Sequence, residues 1–354
     1  MEQKKLRDEL SRGEVRNVYL LYGAERFLVK HYAAAIEKAV ATDGDKNVFD
    51  GALPVSEIIM AAETLPFSMR ALPPSPRGEV VLSKRLIFVR DSKLFAAGRK
   101  ADSEEMAEYF SKIPTSTIMV FIETEVDRRT KIFKNLVNLS GTSLGAAVEF
   151  TPLNPQDLSK WIIKTAKSGG KKMTSATANF LIRTCGAEMF NLSNEIDKLI
   201  HYSASGKSIP DKNEVVTHEI TQNHILEICT PTLESRIFDL TKAVGAGNIP
   251  AALQMYHNLL FLKESPLMIL SMIIRQLRII LLCKSFAAKN TPHSQIAKEL
   301  NIRGFVIPEA LSHGRRFTNQ QLMSALKNCQ DTDIRIKSGL LSPETGVEML
   351  IFSI

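Results

Sequence analysis

The sequence predicts a parallel α/β domain at the N-terminus followed by all-helical domains. Over residues 1–150, short apolar runs alternate with stretches whose apolar residues recur every third or fourth position, the signature of strands separated by amphipathic helices. After Thr151-Pro152 no convincing strand pattern appears between Asp157 and Tyr202, and from Ile220 onward the periodicity is helical, broken near Gly245–Gly247, Pro266, Pro292, Pro308 and Pro343. A length of 354 residues suggests two or three domains. The composition shifts place them at 1–150, 151–218 and 219–354, with Ser203–His218 as a linker.

The elements of the first domain follow in order. Val18-Tyr19-Leu20-Leu21-Tyr22 is an apolar run ending at Gly23, and Leu28, Tyr32, Ile36 and Val40 then mark one face of a helix. Val48-Phe49 is a short second strand. Val55, Ile58, Ile59 and Ala62 mark a helix closed near Pro66. Leu86–Val89, Ile118–Ile122 and Ala147–Phe150 are further strands, with a helix around Ile132, Phe133 and Leu136. In the second domain, helices are expected around Leu158–Ala166, Thr174–Thr184 and Phe190–Tyr202. Thr174 is the N-cap and Gly186 the C-terminal stop of the middle one. Trp161 is expected in core or interdomain packing.

Composition narrows the function classes. Hydrophobic residues make up 44% and charged residues 23%, as in soluble globular chains. The net charge of +7 hints at a polyanionic partner, but the surplus is spread over all three segments. That argues for auxiliary contact with nucleic acid at most. The four cysteines, Cys185, Cys229, Cys283 and Cys329, stand more than 40 residues apart, wrong for a zinc motif, and read as buried thiols. The start, MEQKKLRDEL, has no apolar signal region. The most apolar stretch, Met268–Phe286, contains Arg275, Gln276, Arg278 and Lys284, against a membrane span. A cytoplasmic protein without membrane contact is expected. No metal site, nucleophile elbow or triad is legible.

A strand ending in Gly23 before a helix is where a phosphate-binding loop belongs. Such a loop needs G-x-x-x-x-G-K-[ST], so that backbone N–H groups, a lysine and a hydroxyl hold phosphate and magnesium. The run here is GAERFLVK, with Leu28 at the second glycine position and Val29-Lys30 in place of Lys-Ser/Thr. Glu25 sets a negative charge where phosphate would lie. The shape of a nucleotide fold is present and its chemistry is missing, so no cofactor is expected. Glu123, after the fourth strand, then reads as a solvated strand-end carboxylate. Ser168-Gly169-Gly170-Lys171-Lys172 has no preceding strand and reads as a helix connector with a solvated lysine pair.

Several segments in this order resemble the delta family of bacterial clamp loaders, over nearly the whole chain. VYLLYGAERFLVKHY resembles that family's opening, and ETLPF (Glu63–Phe67) with KRLIFVRD (Lys84–Asp91) its clamp-contacting region. Met173–Leu199 resembles its helical lid, and IAKELNI, ALSHGRRFTNQQL and DTDIRIKSG its C-terminal collar. The resemblance implies a degenerate AAA+-type N-terminal domain, a three-helix lid and a helical collar. It also implies a protein without its own active site, accessory to a DNA-directed DNA polymerase. Such a subunit binds and opens the sliding beta clamp for loading onto primed DNA. Its partners would be that clamp, the gamma/tau ATPases, delta prime and, through the complex, primed DNA. One departure is the Pro-rich insertion Ser68–Ser83, with Pro73, Pro74 and Pro76.

Leu65, Pro66 and Phe67 are the candidate clamp-binding residues. By residue type alone a Leu and a Phe beside a strand read as core; the resemblance makes them an exposed tip that enters an apolar pocket on the clamp. Arg275, Arg278, Arg315 and Arg316 are candidates for DNA or subunit contacts, with solvated faces as the default for surface charge. Two rival functions are an active AAA+-type ATPase and a helix-turn-helix DNA-binding protein. The second rests on Gln295–Leu311, where Ile296, Ala297, Leu300, Ile302, Val306 and Leu311 have helix-turn-helix spacing. Pro308 and the scarcity of basic or amide side chains argue for an ordinary helical hairpin there.

Overall fold

Five parallel strands make the sheet of the first unit: β1 (Val18–Tyr22), β2 (Lys46–Asp50), β3 (Arg85–Arg90), β4 (Thr117–Glu123) and β5 (Gly145–Glu149), in the order β2-β3-β4-β1-β5. The computed structural model describes residues 3–40, 45–64, 84–204, 219–304 and 306–354, and these fall into two units, Met1–Pro152 and Leu153–Ile354. β1 lies between β4 and β5, with Leu20 level with Phe121 and Ala147, and is buried along its whole length. Parallel neighbours need crossovers, and after α1 (Gln3–Ser11), which precedes β1, helices α2 (Arg26–Val40), α3 (Val55–Glu63), α4 (Lys100–Tyr109) and α5 (Lys131–Leu139) run between successive strands. One core gathers Leu20, Ile87, Phe121, Phe95, Ile132 and Leu136. Tyr19 and Leu21, on the alternate face of β1, are buried as well.

Two helices were not read from the sequence. α1 buries only Leu6 and Glu9, and α4 carries just a small apolar face, with Met106, Ala107 and Tyr109 buried. A buried ion pair holds α1 in place: Arg16 donates to both Glu9 oxygens at 2.9 and 2.6 Å, and to the Gly145 carbonyl at 2.8 Å. The pairing pulls the Glu9 carboxyl below and the Arg16 guanidinium above their ordinary pKa.

The second unit opens with α6 (Pro155–Ser168), the two-residue strand β6 (Lys172–Met173), α7 (Ser175–Cys185) and α8 (Met189–Ala204). The expected N-cap is present: the Thr174 side chain accepts from Thr177 N–H. Gly186 ends α7 at φ 80°. β6 corrects the expectation of no strand here; it pairs in parallel with β7 (Glu219–Ile220). The lysine pair is corrected too. Lys172 is exposed on β6, but Lys171 is only 5% exposed. A Cβ at Gly169, at the end of α6, would stand 2.5 Å from the terminal methyl of Ile200, which would have to move aside.

The remaining helices are α9 (Gln222–Ile228), α10 (Leu233–Gly245), α11 (Ile249–Phe261), α12 (Pro266–Ala288), α13 (His293–Glu299), α14 (Val306–Gly314), α15 (Asn319–Lys337) and α16 (Pro343–Ser353). Side chains of Thr221, Thr232, Asn248, Thr318 and Ser342 cap five of them. α12 is long and apolar enough to cross a membrane by composition alone. It is instead a core helix, with Ile269, Ile273, Leu277, Ile280 and Cys283 buried in one cluster with residues of α10, α11 and α14–α16. The fold class expected from the sequence is the one observed.

Candidate functional site

The turn between β1 and α2 is where a phosphate loop would lie, and its geometry explains why this one differs. Gly23 sits at φ 123°, and a Cβ there would stand 2.3 Å from the Phe150 carbonyl oxygen. Only glycine allows this approach of the turn to the end of β5. Several amides of the turn are engaged by the protein: Glu25 N–H donates to Phe150 O at 3.0 Å and Arg26 N–H to Ala24 O at 3.1 Å. Phe27 N–H donates to Glu25 Oε1 at 3.3 Å. Glu25 thus puts its own carboxylate at the positive helix end that phosphate would need.

Glu123 corrects a second expectation. It is buried (1% exposed), not solvated. Its carboxylate accepts from Ser92 N–H at 3.1 Å, from Lys93 N–H at 3.2 Å and from the Ser92 hydroxyl. It therefore knits the loop after β3 to the end of β4. Burial raises its pKa, against the lowering effect of these hydrogen bonds.

α3 leads toward the candidate tip. Its last turn is anchored by Thr117 Oγ1, which donates to Ala62 O at 2.8 Å, and Thr64 leaves the helix with extended backbone. Leu65, Pro66 and Phe67 lie outside the described residues, as does the insertion 68–83. Met60, on the exposed side of α3 and 66% exposed, was not singled out in the sequence. Its thioether is a large apolar group close in sequence to the candidate tip, and only its place on the helix face opposite Ile58 and Ala62 could have flagged it.

The basic candidates separate into two places. Arg275 pairs with Glu234 at 3.0 Å on the surface and lines a groove of 730 Å³ with Phe180, Arg183, Asp239, Arg303 and Glu309. Arg278 is exposed on the same helix. Arg315 and Arg316 are exposed just beyond the end of α14. There Lys284 donates to the Gly314 carbonyl at 2.9 Å and to that of Phe317, satisfying carbonyls at a helix C-terminus. Among the described residues Arg278, Arg315 and Arg316 form no ion pair within 4.0 Å.

The helix-turn-helix spacing is accounted for by packing. Ile296, Ile307 and Ala310 are buried in the helical core, and Pro308 falls in the first turn of α14. Glu309 points to Arg183 at 3.4 Å. Burial holds both Glu309 and Asp239, which flank that arginine, above the usual carboxylate range.

Comparison with known proteins agrees with the resemblance read from the sequence. Residues 234–354 match the family model described as DNA polymerase III delta subunit, C-terminal domain. The chain is 25% identical over 357 residues to the DNA polymerase III subunit delta of Bacillus subtilis, covering 98% of this chain and 94% of that one. The solved Bacillus subtilis DNA clamp loader delta protein has the same fold, with a TM-score of 0.62 and 24% identity over 99% of this chain and 98% of that one.

Proposed function

We propose that this chain, similar from end to end to a bacterial clamp-loader delta subunit, binds the sliding beta clamp and opens it for loading onto primed DNA in the cytoplasm. The observation that carries this reading is the β1–α2 turn, whose amides are taken by Phe150, Ala24 and Glu25 rather than left open to a ligand. A nucleotide fold with its phosphate position filled serves as a platform for protein contact, and ATP turnover is left to gamma/tau partners beside delta prime. The chain itself then contributes binding free energy rather than catalysis, stabilising the opened ring over the closed one.

Leu65 and Phe67, following α3 across Pro66, supply the apolar contact. Burying each in a clamp pocket contributes about 1.5–3 kcal/mol, enough for a hot spot. We divide the second unit functionally into a lid (151–218) and a collar (219–354) that packs with other loader subunits. Exposed Arg278, Arg315 and Arg316 are available for phosphate or subunit contacts there, whereas Arg275 is already paired.

The test is capture of the purified clamp by the wild-type chain and by the L65A/F67A variant without nucleotide. Clamp affinity should fall by more than about 100-fold in the variant, with circular dichroism and melting temperature unchanged. Undiminished capture by a folded double variant refutes the assignment of the tip.

A further inference from the structure

Two of the four cysteines converge in the fold although 44 residues separate them in sequence. Cys185 is the last residue of α7, Cys229 caps α9, and Glu195 stands within α8. The two Sγ atoms and a carboxylate oxygen all lie within 4.8 Å of one another. All three residues are buried, with exposures of 1%, 6% and 5%. The positions are held from outside the cluster: Asn191 Nδ2 donates to Cys185 O at 2.7 Å, and Thr232 N–H donates to Thr184 O at 2.9 Å.

Three groups able to donate to a metal share one apolar interior, where thiolates are held only once a cation joins them. One positive group is at hand, Lys198 Nζ, 2.7 Å from Glu195 Oε2. Two thiolates and a carboxylate carry three negative charges, and Lys198 offsets one. A divalent cation would neutralise the other two. Cys185 and Cys229 also stand at the C-terminal ends of their helices, where the backbone dipoles favour positive charge.

We propose that Cys185, Glu195 and Cys229 bind one zinc-class divalent cation that staples α7, α8 and α9 together. Two sulfur donors and one oxygen donor suit zinc and exclude calcium and magnesium, which take oxygen ligands. Tetrahedral bonds of about 2.3 Å to sulfur set donors about 3.7 Å apart, so the cluster closes by about 1 Å at most. Each thiol loses its proton to solvent as its metal–sulfur bond forms, and nothing is oxidised or reduced. The fourth position goes to water, since Cys185 lines the 730 Å³ groove beside Gly186, Asn191 and Thr232. The staple ties chain before residue 205 to chain after residue 218.

The full-length chain, reduced and freed of metal by a chelator, is titrated with Co²⁺ as a zinc analogue and then with Zn²⁺. The expected result is a sulfur-to-cobalt charge-transfer band saturating at one equivalent, its displacement by Zn²⁺, and a higher melting temperature with zinc. C185S and C229S should weaken binding by at least about 100-fold and E195Q by about 10-fold. C283S, whose thiol lies in the core formed by α10–α16, should bind as wild type. Absence of the band from the wild-type chain at stoichiometric Co²⁺ overturns the proposal, as does a band that survives C185S and C229S together. Should the serine variants fail to fold, the wild-type titration and the nearly isosteric E195Q still decide.

Discussion

The β1–α2 turn of the first unit and the α7–α8–α9 junction of the second treat their polar groups in opposite ways. At the turn the Glu25, Arg26 and Phe27 amides already have protein partners, and nearby Glu123 accepts from both Ser92 and Lys93. At the junction Cys185, Glu195 and Cys229 face one another with Lys198 as the positive neighbour. Deeper in the same unit, His313 Nε2 donates to Thr241 O at 3.0 Å while Nδ1 has no hydrogen-bond partner among the described residues. A turn can thus satisfy its backbone donors within the protein. Buried groups left partly matched are where binding or titration is still available.

The contrast can be broken or sharpened by experiment. The largest effect should come from the buried pair of the first unit. R16M strands Glu9 and should destabilise that unit by about 3–5 kcal/mol, measured by chemical denaturation. G23A should cost about 2–3 kcal/mol, because a Cβ at that φ meets the Phe150 backbone. Wild-type stability in G23A would show that the turn is not packed as described.

The two units should also respond differently to acid. Burial lowers the pKa of His313, and Arg316 and Lys242 push the same way. Below the ordinary histidine value of about 6.5 the unfolded chain takes up the proton first, so stability present above that pH is lost as pH falls. The slope is at most about 1.4 kcal/mol per pH unit. Asp239 and Glu309, raised by burial, act in the opposite sense. The readout is therefore the difference between wild type and H313F, whose melting temperature should fall less between pH 7 and pH 5. In the first unit, the lowered pKa of Glu9 makes its contribution present above the ordinary carboxylate range and lost only at lower pH; Glu123, raised by burial, opposes it. R16M should remove that acid-sensitive contribution. The smallest effect belongs to R315A/R316A. These exposed side chains should change stability by less than about 0.5 kcal/mol while reducing the salt dependence of DNA binding by the assembled loader.

Much of this was legible in the residues. β1, β3 and β4 are short apolar runs of strand length, as buried parallel strands have, and Thr174 with Gly186 marks both ends of α7. The missing phosphate loop was legible too, since GAERFLVK lacks the residues that chemistry requires. α1 was invisible because an ion pair from Glu9 to Arg16, which in turn donates to the distant Gly145 carbonyl, anchors it rather than an apolar periodicity. Glu123 and Lys171 look like surface charge until tertiary partners enclose them. The Cys185–Glu195–Cys229 cluster has no local motif, because three separate helices bring its donors together.

On the proposed function, the chain meets the clamp by direct protein contact that needs no nucleotide. The most direct measurement is calorimetric titration of the sliding clamp into the isolated chain, with and without ATP and Mg²⁺. The same clamp affinity should appear in both buffers, with no heat from ATP alone. Clamp binding that requires ATP, or stoichiometric ATP binding by the chain, would contradict the account.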